Sequence, residues 1–225
     1  MSDEYENLRA QCVKCTKCPL CATRHKVVFD RGTPDARLML IGESPGANED
    51  ASGEAFVGRA GALLDELLAE AGVKKFIIVN ILKCRPPNNR FPGDHGAHHN
   101  SDVVEKCLPW LDRQLEIVRP SVIILIGGKA AANTVYRGRE MPRVGDLVHK
   151  RILSEDYPGI DIFGMDHTSY MLRLRNMNKM EYEEIRESTL EILRVAQKII
   201  DGESSGMAPT RVARRPDRGE QLNFF

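Results

Sequence analysis

The sequence predicts an α/β protein with three layers, α/β/α, around a central four-stranded and mainly parallel sheet. Four short apolar runs have the composition of buried strands, at residues 38–41, 76–82, 121–126 and 160–165. Helical patterns separate these runs along the chain. Strands that alternate with helices favour a parallel sheet covered by helices on both faces.

The helical patterns are assigned in the same way. They cover residues 60–70, 102–118 and 129–136, and a last helix at 181–200 closes the core. In that last segment Ile185, Leu193, Ala196 and Ile200 recur at roughly helical spacing. We therefore expect one domain over residues 1–200.

Residues 201–225 have a different composition. Ser, Gly, Pro and Arg dominate this segment, which is typical of a disordered tail. The tail ends in the peptide QLNFF.

Net charge does not identify a partner for this chain of 225 residues, because 32 Lys and Arg balance 32 Asp and Glu. Any surface for nucleic acid must therefore be a local patch. The sequence has no apolar run of 18 residues and no basic-then-apolar leader, so we expect a cytoplasmic protein without a membrane partner.

Three segments follow predicted strands and should share one rim of the sheet, where α/β proteins bind ligands. They are the loop 42–61, GESPGANEDASGEAFVGRAG, the stretch 80–90, and the region of His167. The loop lacks the patterns GK[ST] and G-x-G-x-x-G, so it does not predict nucleotide binding. Its crowded acids, Glu43, Glu49 and Asp50, can position water or stabilise a cation, although a plain strand-to-helix turn is the alternative.

Six cysteines indicate a metal or iron–sulfur centre, because disulfides are rare in a reducing compartment. Cys12, Cys15, Cys18 and Cys21 are spaced three apart, and Cys84 and Cys107 follow later. The early run alone can bind a metal, and four thiolates also suit zinc.

Four motifs together give the chain a specific resemblance. GESPGANEDASGEAFVGRAGALLDELL, CTKCPLCATR, VNILKCRPPNNR and DHTSYMLR resemble, in order and spacing, the family 4 uracil-DNA glycosylases. The resemblance spans residues 15–200. It implies the uracil-DNA glycosylase fold and hydrolysis of the N-glycosidic bond of a flipped-out uracil in base excision repair.

The resemblance also implies the substrate site. Phe56 stacks on uracil, and Asn80 reads its edge in a way that rejects cytosine. His167 stabilises the leaving base, and Glu43 and Glu49 stabilise the sugar cation or the attacking water, with Glu49 expected to activate the water. Further contacts to the base are expected from Gly42, Ser44 and Ser169. The alternatives are a core phenylalanine, a strand-capping asparagine, a structural histidine and solvated acids.

The sequence departs from the family pattern at two places in this site. Thr168 stands where the family has proline, and Ser44 stands where related families hold the water with Asp or Asn. Because Thr168 lacks the fixed backbone of proline, we expect a less rigid loop around His167.

The resemblance assigns a structural 4Fe–4S cluster to Cys15, Cys18, Cys84 and Cys107, which leaves Cys12 and Cys21 as additional thiols. Because the net charge is zero, DNA binding must use Lys and Arg in or next to the rim loops, with backbone phosphates as targets and affinity that falls steeply with salt, although several of these residues can instead pair with nearby acids. The expected contacts are Arg59, Lys83, Arg85, Arg90, Arg173 and Arg175.

Two features extend beyond the catalytic domain. Gln221, Leu222, Phe224 and Phe225 of the tail resemble the bacterial sliding-clamp peptide, which predicts the clamp as a partner. The insertion with Asp94, His95, His98 and His99 is a metal site, a covalently trapping histidine or a polar surface loop.

The protein is expected to act on DNA as a monomer. The alternative function is an iron–sulfur DNA-binding protein of the same superfamily that is catalytically impaired or traps DNA covalently and acts in replication. A zinc deaminase is excluded, because the sequence has no H-x-E motif.

Overall fold

The structure, a computed structural model, describes residues 2–92, 102–137 and 139–214. These contain seven strands: β1 (Arg31–Gly32), β2 (Leu38–Gly42), β3 (Ile77–Asn80), β4 (Val122–Ile126), β5 (Arg151–Ser154), β6 (Asp161–Met165) and β7 (Pro209–Val212). The helices are α1 (Ser2–Val13), α2 (Ala47–Ser52), α3 (Arg59–Glu70), α4 (Asp102–Val118), α5 (Gly128–Asn133), α6 (Val144–Leu147), α7 (Thr168–Met177) and α8 (Lys179–Ile200).

All seven strands belong to one mixed sheet with the order β1–β3–β2–β4–β6–β5–β7. The four predicted strands form its parallel centre, where β2 pairs with β3 and β4, and β4 pairs with β6. Gly42 lies opposite Asn80, and Ile126 lies opposite Met165. The carboxyl ends of these strands therefore share one rim, as the sequence predicts.

The expectation of four strands is wrong, because three edge strands extend the sheet. β1 has two residues and runs antiparallel to β3, while β5 runs antiparallel to β6 and parallel to β7. The side chains of β5 alternate between half-buried and buried, and β7 is half-buried or exposed. Edge strands of this kind need no continuous apolar run, which is the signal used for the other four.

The strand β7 lies within the segment that composition predicts as a disordered tail. Its backbone pairs with β5, and the N–H of Arg214 donates to the Glu155 carboxylate at 2.8 Å. Polar composition hides this strand because pairing of its backbone with β5 holds it, and Val212 is its one apolar side chain packed against the core. The peptide QLNFF lies outside the described residues.

Helices cover both faces of the sheet and bury two separate cores. Met39 and Ile41 of β2 point into the core that contains residues of α1 and α4. Leu38 and Leu40 point into the opposite core, with residues of α3, α7 and α8. This alternation is what a strand buried on both faces requires. Within the described residues, no helix combines the length and the apolar character needed to cross a membrane.

Candidate functional site

The pairing of Gly42 with Asn80 brings two predicted site residues together at the rim. A Cβ atom on Gly42 would lie 2.5 Å from Oδ1 of Asn80 and 2.5 Å from Cε2 of Phe56. A residue with a side chain would displace one or both of these groups. Glycine at this position therefore allows the Asn80 carboxamide to meet the Phe56 ring.

The backbone around Phe56 is tightly constrained. Phe56 has a φ of 55°, which costs a residue with a side chain about 1–2 kcal/mol. A Cβ on Gly61 would lie 1.8 Å from the carbonyl oxygen of Phe56, so the start of α3 packs directly on this peptide. The ring is 6% exposed. The fold thus holds one aromatic ring in a strained position at the rim, which is typical of functional sites.

His167 completes this group from the end of β6. Its ring stacks on Phe56 with centroids 6.0 Å apart and an interplanar angle of 28°. Its Nδ1 atom accepts the N–H of Ser169 at 3.1 Å and lies 2.8 Å from the Ser169 hydroxyl. Because Nδ1 is the acceptor, the neutral ring carries its proton on Nε2. Burial, with a smaller contribution from Arg173, lowers the pKa of His167 to about 4, so the ring is neutral at pH 7.

Asn80 presents a polar atom that has no partner among the described residues. The side chain is 1% exposed, and its Oδ1 atom receives no hydrogen bond within that part of the chain. Its main-chain carbonyl accepts from Nζ of Lys83 at 2.8 Å. A buried, unpaired carbonyl costs about 1–3 kcal/mol, so this oxygen is suited to accept from a ligand.

Glu49 is bound by main-chain groups of the loop that carries Phe56. Oε1 accepts the N–H groups of Val57 and Gly58 at 3.0 and 2.8 Å, and Oε2 accepts that of Gly46 at 3.0 Å. Through these three hydrogen bonds Glu49 closes the loop.

Replacing Glu49 with alanine should therefore destabilise the loop. Three main-chain N–H groups lose a charged acceptor, and we expect the free energy of unfolding to fall by about 1–3 kcal/mol. Urea unfolding measures this loss. The matched control is Glu54→Ala, because Glu54 is exposed in the same loop. Equal stability of the two variants would contradict the bracing role.

Asp50 ties the same loop to the segment that follows the early cysteines. It is 1% exposed, accepts the main-chain N–H of His25 at 2.9 Å and lies 2.6 Å from the His25 ring nitrogen. Burial alone would raise the pKa of Asp50, but hydrogen bonds from His25 and from the main chain of Lys26 lower it below its ordinary value. Asp50 is therefore a charged structural anchor.

All six cysteines line one cavity between the N-terminal segment, the loop after β3 and α4. Cys84 and Cys107 line it together with Cys12, Cys15, Cys18 and Cys21. None of the six forms a disulfide. In the described part of the chain, no three His, Cys, Asp or Glu side chains converge closely enough to hold a single metal ion.

The charges around this cavity suit a negatively charged occupant. Burial raises the pKa of Cys84 and raises that of Cys107 to about 12, whereas Arg24 and Lys83 oppose these shifts and favour the thiolates. Nη1 of Arg24 donates to Sγ of Cys84 at 3.4 Å, and the N–H of Lys83 donates to Sγ of Cys107 at 3.3 Å. Cations also line the cavity: Lys17, Arg24, Lys83 and Lys106.

The expectation that Lys83 contacts DNA is wrong. This side chain is 1% exposed, and its Nζ atom donates to Oε1 of Gln114 at 2.5 Å as well as to the Asn80 carbonyl. Burial lowers the pKa of Lys83, while the charges of Cys107, Cys12 and Asp30 oppose that shift. Sequence reasoning missed Gln114 as its partner. A lysine between Leu82 and Cys84, inside a buried stretch, was the available signal.

The other predicted DNA contacts remain accessible. Arg59, Arg90, Arg173 and Arg175 are exposed and Arg85 is half-buried, with its Nε donating to Asn89 at 2.7 Å. In residues 2–92, 102–137 and 139–214, none of the five forms an ion pair with a carboxylate. Their charges are therefore available for phosphates.

The remaining predicted residues lie next to the group around Gly42. Glu43 and Ser44 directly follow it and are half-buried. Thr168 is fully buried as the first residue of α7, and its hydroxyl oxygen has no partner in the described residues. The insertion with Asp94, His95, His98 and His99 lies outside the described residues.

Known proteins are similar in sequence to this chain over most of its length. Residues 29–190 match the uracil DNA glycosylase superfamily. The type-4 uracil-DNA glycosylase of Thermotoga maritima is 36% identical over 201 residues, which cover 84% of this chain and 91% of the relative. That of Pyrobaculum aerophilum is 40% identical over 150 residues, covering 65% and 73%. That of Archaeoglobus fulgidus is 42% identical over 131 residues, covering 57% and 62%. The chain belongs to the uracil-DNA glycosylase superfamily and, within it, to the type-4 family.

Proposed function

We propose that this protein is a uracil-DNA glycosylase that removes uracil from DNA, the first step of base excision repair. The observation that carries the proposal is the meeting of Phe56, Asn80 and His167 around Gly42 at the carboxyl rim of the sheet. A stacking ring, a carboxamide and a neutral imidazole are the groups that a flipped pyrimidine requires. The chain's membership of the type-4 family supports the same activity.

Recognition of uracil follows from the chemistry of its edge. The Oδ1 atom of Asn80 accepts from N3–H of uracil, and its NH2 group donates to O4. Cytosine presents an acceptor and a donor at these places, so both contacts fail and leave polar groups unpaired at about 1–3 kcal/mol each. Phe56 stacks on the base and contributes about 1–3 kcal/mol. Gly42, Ser44 and Ser169 line the same rim.

Cleavage leaves negative charge on the base and positive charge on the sugar. The Nε2–H of His167 donates to uracil O2 as that charge develops. Glu43, which directly follows Gly42, stabilises the oxocarbenium sugar and orients the attacking water. Glu49 supports this step indirectly, because it fixes the loop between Glu43 and Phe56. The products are free uracil and an abasic site.

The cysteine cavity fits a 4Fe–4S cluster, with Cys15, Cys18, Cys84 and Cys107 as ligands. Support comes from the donor set, from the six thiols that line one cavity, and from the cations that line it. Such a cluster supplies cross-links between the N-terminal segment, the loop after Asn80 and α4. We assign it a structural role.

DNA binding and location complete the proposal. Arg59, Arg85, Arg90 and Arg173 contact the phosphates that flank the flipped nucleotide. The protein acts as a monomer in the cytoplasm, where it reaches DNA.

A fluorescent DNA strand with one uracil tests the activity. After incubation and alkali, we expect a nick at uracil and none in the same strand with thymine or cytosine. Strong binding without a nick would overturn the proposal and would indicate an iron–sulfur DNA-binding protein instead. A protein–DNA adduct that survives denaturation would indicate covalent trapping.

The C-terminal peptide provides the second partner of the proposal. Gln221, Leu222, Phe224 and Phe225 resemble the clamp-binding peptide, and β7 anchors the chain 9 residues before Gln221, at Val212. Binding of the full chain and of a 1–214 variant to a bacterial sliding clamp tests this role. Equal affinity of both would exclude it.

A further inference from the structure

Lys83 connects the cysteine cavity to the residue that reads uracil. Its main-chain N–H donates to Sγ of Cys107 at 3.3 Å, and Lys83 is one of the residues that line the cavity. Its Nζ atom donates to the main-chain carbonyl of Asn80 at 2.8 Å. One residue thus contacts a predicted cluster ligand with its backbone and the substrate-reading residue with its side chain.

The ammonium group is held rigidly by a buried polar network. Oε1 of Gln114 accepts from Nζ at 2.5 Å, and Nε2 of Gln114 donates to the Tyr5 hydroxyl and to the Phe29 carbonyl, both at 3.1 Å. Tyr5 in turn donates to Asp30 at 2.6 Å, and Arg9 pairs with Asp30 at 2.7 Å. Each of these contacts restricts where Nζ can lie. The network therefore supports the Asn80 carbonyl from the side of α1 and α4, in addition to the pairing of Asn80 with Gly42 in the sheet.

Among the residues that the structure describes, Nζ of Lys83 forms no ion pair with a carboxylate, and the charges of Asp30 and Asp112 act on it from farther away. A buried charge without a partner is costly, and burial is tolerated when an opposite charge lies nearby. Thiolates and an iron–sulfur cluster beside Cys107 would supply that negative charge.

We propose that Lys83 is a positioning residue that serves both sites, as the buried counter-cation of the cluster and as the hydrogen-bond donor that fixes Asn80. This inference rests on the proposed function, since it assumes that Asn80 reads uracil. It explains why a lysine, rather than an apolar residue, stands inside the stretch between β3 and Cys84. It also makes the cluster part of substrate recognition through contacts within the chain.

The test compares Lys83→Met with Lys83→Gln in the full-length, iron-loaded protein. Methionine replaces the four-carbon stem of lysine with an unbranched apolar chain of the same number of atoms and removes both charge and donor, whereas glutamine retains a donor without charge. We expect both variants to lower the equilibrium constant for one-electron reduction of the cluster at least tenfold, a shift of about 59 mV to lower potential. Lys83→Met should also weaken inhibition by free uracil about tenfold, while Lys83→Gln retains it within about threefold.

Arg24→Met is the matched control, because Arg24 donates to Cys84 and has no contact with Asn80. We expect this variant to shift the potential without changing inhibition by uracil. The proposal is overturned if Lys83→Gln leaves the potential unchanged, or if Lys83→Met holds iron and binds uracil as the unaltered protein does. If Lys83→Met does not fold, Lys83→Gln decides through its potential. Absence of uracil excision by the unaltered protein would instead reject the proposed function, and the potentials would still test the charge.

Discussion

Replacing His167 with alanine lowers kcat for uracil excision by about 100- to 1,000-fold, the usual effect of removing a donor to a developing anion. The expectation follows from the position of the ring, 6.0 Å from Phe56, and from Ser169, whose N–H keeps Nδ1 as the acceptor. Single-turnover assays on a uracil-containing strand measure the rate constant of excision. Ser169→Ala keeps that main-chain N–H, so we expect a loss of less than tenfold. Equal losses in both variants would show that the imidazole is not the donor.

The lowered pKa of His167 gives the same residue a pH signature. The native ring titrates near pH 4, whereas an unfolded histidine titrates near 6.5, so between these values the unfolded chain binds more protons. Stability should therefore fall as the pH drops from 6.5 to 4, and His167→Ala should reduce that slope. Above pH 5 the ring is neutral, and we expect no step in kcat from this residue up to pH 8. A step near pH 6.5 that His167→Ala removes would contradict this assignment.

Asn80→Ala is expected to lower kcat/KM for uracil by at least 100-fold. Two contacts to the base are lost, and each unpaired polar group costs about 1–3 kcal/mol. Asn80→Asp keeps the shape but removes the NH2 donor to O4, so uracil excision should fall to a similar extent. The measurement compares excision from strands that carry uracil, thymine or cytosine at one position. It gives both the excision rate and the discrimination between bases. Full activity of Asn80→Ala would contradict the proposal that Asn80 recognises the edge of uracil.

The sequence was most informative where burial dictates composition. The four central strands are continuous apolar runs because helices cover both of their faces, and their order along the chain places Gly42, Asn80 and His167 at one rim. The edge strands β5 and β7 carry no such signal. Backbone pairing holds them, and their side chains include exposed and charged groups.

Side-chain roles within the site were less predictable. Glu49 and Lys83 are charged residues in rim segments, and the sequence cannot distinguish a group that faces substrate from one that faces the backbone. The structure shows both directed inward, to main-chain groups of the loop and of Asn80. The cysteine spacing predicted a shared centre, and the cavity brings Cys84 and Cys107 to the early run. Which four thiols bind the cluster depends on contacts that spacing does not encode.

A crystal structure of the protein with free uracil tests the central claim most directly. We predict that the base stacks on Phe56, that the Asn80 carboxamide meets its N3 and O4 atoms, and that Nε2 of His167 lies within hydrogen-bonding distance of O2. Uracil bound elsewhere, or bound at this rim without a contact to Asn80, would contradict the account.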